Sequence, residues 1–256
     1  MTVLNIVQIP TRRDNYVYLV RDPGQGSVGV VDPSDAGPVM DELDRRGWQL
    51  THVLNTHHHG DHTGGNMELK DRYGCTIVGP RADQARIPGI DVQVGDGDSY
   101  AFGDAGAQVF DVPGHTHGHI AYWFKESEAL FCGDTLFALG CGRVFEGTFD
   151  QMWGSLTKLR ALPDATRVYC AHEYTQANAR FALTVETDNR ALIERAAEID
   201  ALRAADKRTV PSLLGVEKAT NPFLRADMDS VALAVGLPNA GPVDVFAEVR
   251  VRKDNF

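Results

Sequence analysis

THHHGDH, Thr56 to His62, places four histidines and an aspartate within seven residues. No helix face or strand core needs imidazoles at that density. The spacing reads H-x-H-x-D-H over His57, His59, Asp61 and His62. Imidazole is the commonest protein ligand for zinc-like ions, and a carboxylate beside it suits the same ions. On an extended backbone His57 and His59 point to one side and can share one ion. A turn at Gly60 then presents Asp61 and His62 to a second. The stretch predicts a two-metal centre that hydrolyses something.

Seven of the nine histidines fall in two clusters, 57, 58, 59 and 62, then 115, 117 and 119. The second cluster, VPGHTHGHI, lies between a strand ending near Val112 and one beginning at His119. FCGDTLF puts Asp134 after an apolar strand, and VYCAHEYT puts His172 after another. All four pieces lie just past a strand, where loops on a rigid sheet carry functional groups. A balanced division gives His57, His59 and His115 to one ion and Asp61, His62 and His172 to the other. Asp134 bridges them with its two oxygens. Each ion then has an open position for a shared water, which a closed structural zinc site lacks. Other readings stand beside this one. His117 can replace His115 as ligand, His119 reads as a supporting residue, and His58 as a supporting or exposed one. His52, in THVLNT, reads as an ordinary strand residue. Asp134 taken alone could be a turn residue, but between an apolar strand and Thr135, in this company, it reads as a ligand.

The chain of 256 residues is 43% hydrophobic and 23% charged, enough for one large domain or a large one with a small appendage. Its net charge of -10 argues against nucleic acid and anionic membranes as partners, which need basic surface. An anionic substrate would need a local basic patch. The first 30 residues carry no basic segment followed by an apolar run, and no stretch approaches the ~20 apolar residues that span a bilayer. A cytoplasmic monomer acting on a small molecule is expected. Four cysteines show neither C-x-x-C spacing nor disulfide-scaffold density and read as reduced core residues. Cys141, near Asp134, invites a nucleophile reading, but no histidine is spare to activate it.

Period-two patterning predicts strands at 3–9, 16–21, 27–32, 51–56, 76–79, 107–112, 119–124, 128–132 and 167–170. Helices are expected from Gly37-Pro38 to Gly47, from Gly64 to Tyr73, and over 150–161 with Asp150 as N-cap. From about Thr175 the texture turns helical, over 175–185, 189–206, 228–236 and 242–253, with a loop containing Pro211 and Pro222. A strand-rich part, 1–173, thus precedes a helical part, 174–256.

T-H-x-H-x-D-H followed by a downstream His, Asp and His resembles the signature of the metallo-β-lactamase superfamily, in that superfamily's order. The resemblance implies an α+β fold, a four-layer αββα sandwich with metals at one edge of its two sheets. GDTLFALGCGRVFEGT (Gly133 to Thr148), YCAHEYT (Tyr169 to Thr175), NPFLR (Asn221 to Arg225) and VRVRKDNF (Val249 to Phe256) narrow it further. They are similar to the hydroxyacylglutathione hydrolase, or glyoxalase II, family, from DNYVYL (Asp14 to Leu19) to the last residue. That resemblance implies a catalytic domain over 1–173 and a helical domain over 174–256 that helps to bind glutathione. It implies hydrolysis of S-(2-hydroxyacyl)glutathione, typically S-D-lactoylglutathione, to D-lactate and glutathione, the second step of methylglyoxal detoxification. Two divalent ions would share the attacking hydroxide, oriented by Asp61. Zinc fits first, and iron or manganese also suit His and Asp donors.

By the same resemblance Arg143, Tyr174, Arg250 and Lys253 match positions that hold the glutathione moiety. Charge agrees with this: the last seven residues hold Arg250, Arg252 and Lys253 against Asp254 alone. A solvated helix end complementing the helix dipole is the other reading of that run. Phe145 stands where some family members have tyrosine, so a hydroxyl contact is missing. The leaving thiol has a pKa of roughly 8.5, so no dedicated general acid is required. Rival readings are a persulfide dioxygenase, which would use one iron and lack the helical tail, and a lactonase, which would not need the terminal cations. A non-catalytic metal-binding protein on the same fold is the reading from another class, and the full ligand set argues against it.

Overall fold

The hairpin around PTRRDN starts the first sheet of this computed structural model, which describes residues 2–256. β1 (Asn5–Thr11) pairs antiparallel with β2 (Asn15–Arg21), Val7 facing Leu19 and Thr11 facing Asn15. β2 is buried from Asn15 to Val20, so both its faces are covered. It pairs on its other side with β3 (Val28–Val31), and α1 (Ala36–Arg46) then crosses to β4 (His52–Leu54), parallel to β3. Two short helices, α2 (Gly60–Thr63) and α3 (Asn66–Tyr73), lead to β5 (Thr76–Pro80). A 3-10 segment over Arg81–Arg86 leads on to β6 (Val92–Val94), and the strands lie in sequential order.

β7 (Ser99–Phe102), β8 (Ala105–Asp111), β9 (Ile120–Phe124) and β10 (Ala129–Gly133) follow as an antiparallel meander. Tyr18 of β2 meets Phe131 of β10 with ring centroids 5.5 Å apart, and the Tyr122 hydroxyl of β9 donates to the Asn55 carbonyl at 3.0 Å. The meander therefore packs on one face of the first sheet. On the other face Val17, Leu19, Val30, Val53 and Ile77 pack with Val39, Leu43 and Leu69 of the helices. α1 buries Ala36, Val39 and Leu43, one stripe at helical spacing, and stops at Gly47 in the left-handed conformation (φ 65°). The chain through Asp111 together with His117–Gly133 forms this first compact unit.

Val112–Thr116 and everything from Asp134 onward form a second unit. It begins with a two-residue hairpin, β11 (Leu136–Phe137) and β12 (Gly140–Cys141). α4 (Phe149–Arg160), β13 (Arg167–Cys170), α5 (Thr175–Val185) and α6 (Arg190–Ala204) follow. Then come β14 (Ser212–Leu213), antiparallel to β13, α7 (Leu214–Thr220), α8 (Asp229–Ala234) and α9 (Pro242–Asp254). Leu139, between the two hairpin strands, packs with Ala179 and Ala182 of α5 and with Leu192, Ala196 and Ile199 of α6. Phe246 of α9 meets Trp153 of α4 at 6.1 Å. No helix among the described residues is long and apolar enough to cross a membrane.

Several sequence expectations shift for identifiable reasons. α4 is capped by Thr148, not Asp150: the Thr148 hydroxyl accepts from the Gln151 N–H at 3.2 Å, and the Gln151 side chain accepts from the Thr148 N–H at 2.9 Å. T-x-x-Q is a capping box, and Asp150 sits inside the first turn, where its charge favours the dipole. The expected loop around Pro211 and Pro222 contains β14, α7 and a 3-10 turn over Pro222–Leu224. β6 and β7 escaped the pattern because they are three and four residues long and half exposed. Leu43 is wholly buried. Leu43→Ala should cost about 2–5 kcal/mol, because transfer and cavity terms add; a urea titration of the two proteins measures it, and a loss within 0.5 kcal/mol would contradict the packing described.

Candidate metal centre and substrate cleft

β4 ends at Leu54, and the chain bends at Thr56 and His57 instead of continuing extended. Strand alternation therefore does not set His57 and His59. Their placement comes from a buried carboxylate and a helical turn. Asp32, just past β3 at φ 50°, accepts the Thr56 N–H on Oδ1 and the Thr56 hydroxyl on Oδ2, both at 2.7 Å. With its proton given to Asp32, the Thr56 oxygen accepts from His57 Nδ1 at 3.1 Å. His57 Nε2 is left to face a ligand, and it lies 3.1 Å from His59 Nδ1. Two nitrogens on one tetrahedral ion, each about 2.0–2.1 Å from it, sit roughly 3.3 Å apart.

Gly60 opens α2 with His59 as N-cap, so Asp61 and His62 ride on a helical turn where a simple turn was expected. His62 is wholly buried, its Nδ1 3.1 Å from Asp32 Oδ2 and its Nε2 3.6 Å from Asp61 Oδ2. A carboxylate behind one ring nitrogen orients the other toward a metal. Asn15 steadies Asp61, donating to its Oδ2 at 3.1 Å. His119 is wholly buried and stacks on His57 at 4.5 Å and 18°. Gly133 makes this packing possible: a Cβ there would fall 2.3 Å from the Thr56 hydroxyl and 2.9 Å from the His119 ring. His58 turns away, its Nδ1 3.1 Å from the buried Asp83 carboxylate, and His117 is exposed. Asp32, Asn15 and Asp83 went unnoticed in the sequence. VVDPSD did hold a signal, an aspartate straight after an apolar strand, as at Asp134.

The second unit gathers His115, Asp134 and His172. His115 donates from Nδ1 to the Arg143 carbonyl at 2.9 Å, which leaves Nε2 as a lone-pair donor. That Nε2 lies 3.4 Å from Asp134 Oδ2, and His172 Nε2 lies 3.4 Å from Asp134 Oδ1. Hydrogen bonds of this type run shorter, about 2.7–3.2 Å. Separations of 3.4 Å instead suit ligands that share an ion. Tyr174 stacks on His172 with centroids 4.7 Å apart and planes 2° from parallel. After the hairpin the chain closes back on Asp134, so tightly that a Cβ on Gly142 would fall 2.0 Å from the Asp134 carbonyl oxygen. These His and Asp donors fit a divalent metal ion.

A cleft of about 490 Å³ opens beside them, lined by His115 and Asp134 and by Arg143, Tyr174, Arg250 and Lys253. The four expected substrate contacts thus share one cavity, with different surroundings. Arg143 is exposed and lies 3.5 Å from the Asp254 carboxylate. Arg250 is only 4% exposed; it donates to the Cys141 carbonyl at 2.9 Å, pairs with Asp254 at 3.0 Å and stacks over Phe223. Lys253 reaches the Ala177 carbonyl at 3.2 Å and sits over Phe181 and Phe256. Burial, then the positive charges of Arg250 and Arg143, hold its pKa below the usual lysine value. Phe145, 62% exposed, stands 5.2 Å from the His115 ring. The Cys141 thiol is pushed up to about 11 by burial, which removes it as a nucleophile at neutral pH.

Residues 10–172 match the metallo-beta-lactamase superfamily, and residues 173–256 match the hydroxyacylglutathione hydrolase C-terminus. A hydroxyacylglutathione hydrolase from Methylococcus capsulatus is 60% identical over 99% of both chains. One from Rhodospirillum rubrum is 57% identical over 100% of both. Among solved structures, ETHE1 from Myxococcus xanthus aligns over 98% of both chains with a TM-score of 0.66 at 26% identity. The α+β arrangement of sheets and helices is the metallo-β-lactamase fold, followed by a helical C-terminal region. With these relatives matched over their whole length, the chain belongs to the hydroxyacylglutathione hydrolase family of the metallo-β-lactamase superfamily.

Proposed function

We propose that this chain hydrolyses S-(2-hydroxyacyl)glutathione, with S-D-lactoylglutathione as its usual substrate, to a 2-hydroxy acid and glutathione. It would do so as a cytoplasmic monomer holding two divalent ions, zinc by preference. His57, His59 and His115 would hold one ion and Asp61, His62 and His172 the other, with Asp134 shared. The observation that carries this reading is Asp134, which offers one oxygen to each of two imidazole nitrogens at 3.4 Å. Its family membership supports the substrate, since the relatives that match it throughout are named for that thioester.

When bound, the ions would lower the pKa of a shared water toward about 7 and stabilise negative charge on the thioester oxygen. The remaining work falls to the chain. Asp61, steadied by Asn15, accepts a hydrogen bond from the attacking water on a carboxylate oxygen and so aims it. Arg143 and Lys253 attract the carboxylates of the glutathione part against a net charge of -10. Arg250, spent on Cys141 and Asp254, acts from beneath the cleft. The thiolate leaves without a proton donor, because its thiol has a pKa of roughly 8.5.

Three outcomes test this. Protein stripped of metal by a chelator should lose thioesterase activity and regain it with zinc; full activity in verified metal-free protein would overturn the mechanism. Asp32→Asn should weaken metal binding about 10–100-fold, as losing the group behind a ligating histidine does; competition with a zinc-sensitive dye reads this directly, and wild-type affinity would count against the assignment. Lys253 binds an anion only while protonated, and its pKa is lowered by burial. Its contribution is therefore complete below that pKa and lost as pH rises through it. KM for the glutathione thioester should climb at alkaline pH, and Lys253→Arg should push the climb to higher pH. Coincident KM profiles for the two proteins would remove Lys253 from the site.

A further inference from the structure

The turn between β11 and β12 is held by buried side chains as well as by the pairing of its own two strands. Asn221 donates from Nδ2 to the carbonyls of Phe137 at 3.2 Å and Gly140 at 3.0 Å. Asn178 donates to the Ala138 carbonyl at 3.1 Å, and the Leu139 N–H donates to Glu217 Oε2 at 2.8 Å. Leu139 itself has φ 57°, a conformation that a branched side chain adopts only when its surroundings enforce it. Glu217 is wholly buried in α7. Its carboxylate also accepts from Asn221 at 3.1 Å and from Ser212, and it pairs with Arg195. An ionised carboxylate only accepts, whereas a glutamine in its place would turn an NH₂ toward one of these donors. The acid is therefore matched to the turn.

What the turn supports is one wall of the substrate cleft. Phe137, Cys141, Gly142 and Arg143 line it, the Cys141 carbonyl receives Arg250, and the Arg143 carbonyl receives His115. We propose that Glu217, remote from the reacting atoms, is a positioning residue for substrate recognition: by fixing the left-handed turn at Leu139 it sets the wall from Phe137 to Arg143 against which the glutathione part is received. This rests on reading the cleft as the glutathione site.

The test compares S-D-lactoylglutathione with a neutral thioester of N-acetylcysteamine on zinc-loaded enzyme. For Glu217→Gln, KM for the glutathione thioester should rise about tenfold with kcat within about twofold, while kcat/KM for the neutral thioester holds, the pattern of lost uniform binding. Asn221→Ala removes two of the bonds to the turn and keeps the Glu217–Arg195 pair, so it should give the same split if Glu217→Gln folds poorly. Ser212→Ala removes a donor to Glu217 without touching the turn; it should lower Tm and leave both KM values alone. A selective KM rise in either turn variant supports the proposal. Equal losses on both thioesters, or a lower Tm with unchanged KM, would overturn it. A wild-type enzyme that shows no preference for the glutathione thioester would instead overturn the reading of the cleft, before any variant is compared.

Discussion

Asp134 is buried to 7% exposure with an imidazole nitrogen 3.4 Å from each oxygen. Polar groups drawn out of water without full hydrogen bonds cost free energy, and the cost grows as the local dielectric falls. A divalent cation between such donors would offset the cost of burying the charge. Such an arrangement is worthless unless the donors are held before the ion arrives. Asp134 leaves the end of β10, His115 follows β8 and His172 follows β13, so each donor is anchored by a strand.

A second layer of groups then fixes which nitrogen each ring presents. Asp32 acts on both His57, through Thr56, and His62 directly. The Arg143 carbonyl does the same for His115. One backbone oxygen thus orients the His115 ring while the side chain of the same residue lines the cleft. On the proposed reading, recognition and metal chemistry would be coupled through the main chain of this one residue. Buried Glu217 in α7, further out, accepts from the Leu139 N–H of the turn that precedes this residue.

The proposed metal donors stand out in the sequence because their side-chain types are rare and their spacing is short. The strands that carry them were legible because buried strands leave period-two apolar runs, as NYVYLV does. Cap and turn chemistry was less so. Asp150 was read as the cap, whereas Thr148 fills that place through its reciprocal bonds with Gln151. The helical turn at Gly60 was hidden because glycine signals a turn as readily as a helix start. Asp32, Asp83 and Glu217 were invisible for a different reason. Each has at least one partner between 22 and 78 residues away, and no local pattern records such distances.

Cys141 lines a cleft proposed to receive a thioester. A thioester hands its acyl group to any competent thiolate, so an ionised cysteine in that wall would be acylated by the substrate. Burial pushes this thiol up to about 11, which keeps it protonated at neutral pH. The same packing that shapes the cleft thus makes it inert to its own cargo, and protects the protein from becoming a dead-end acyl carrier.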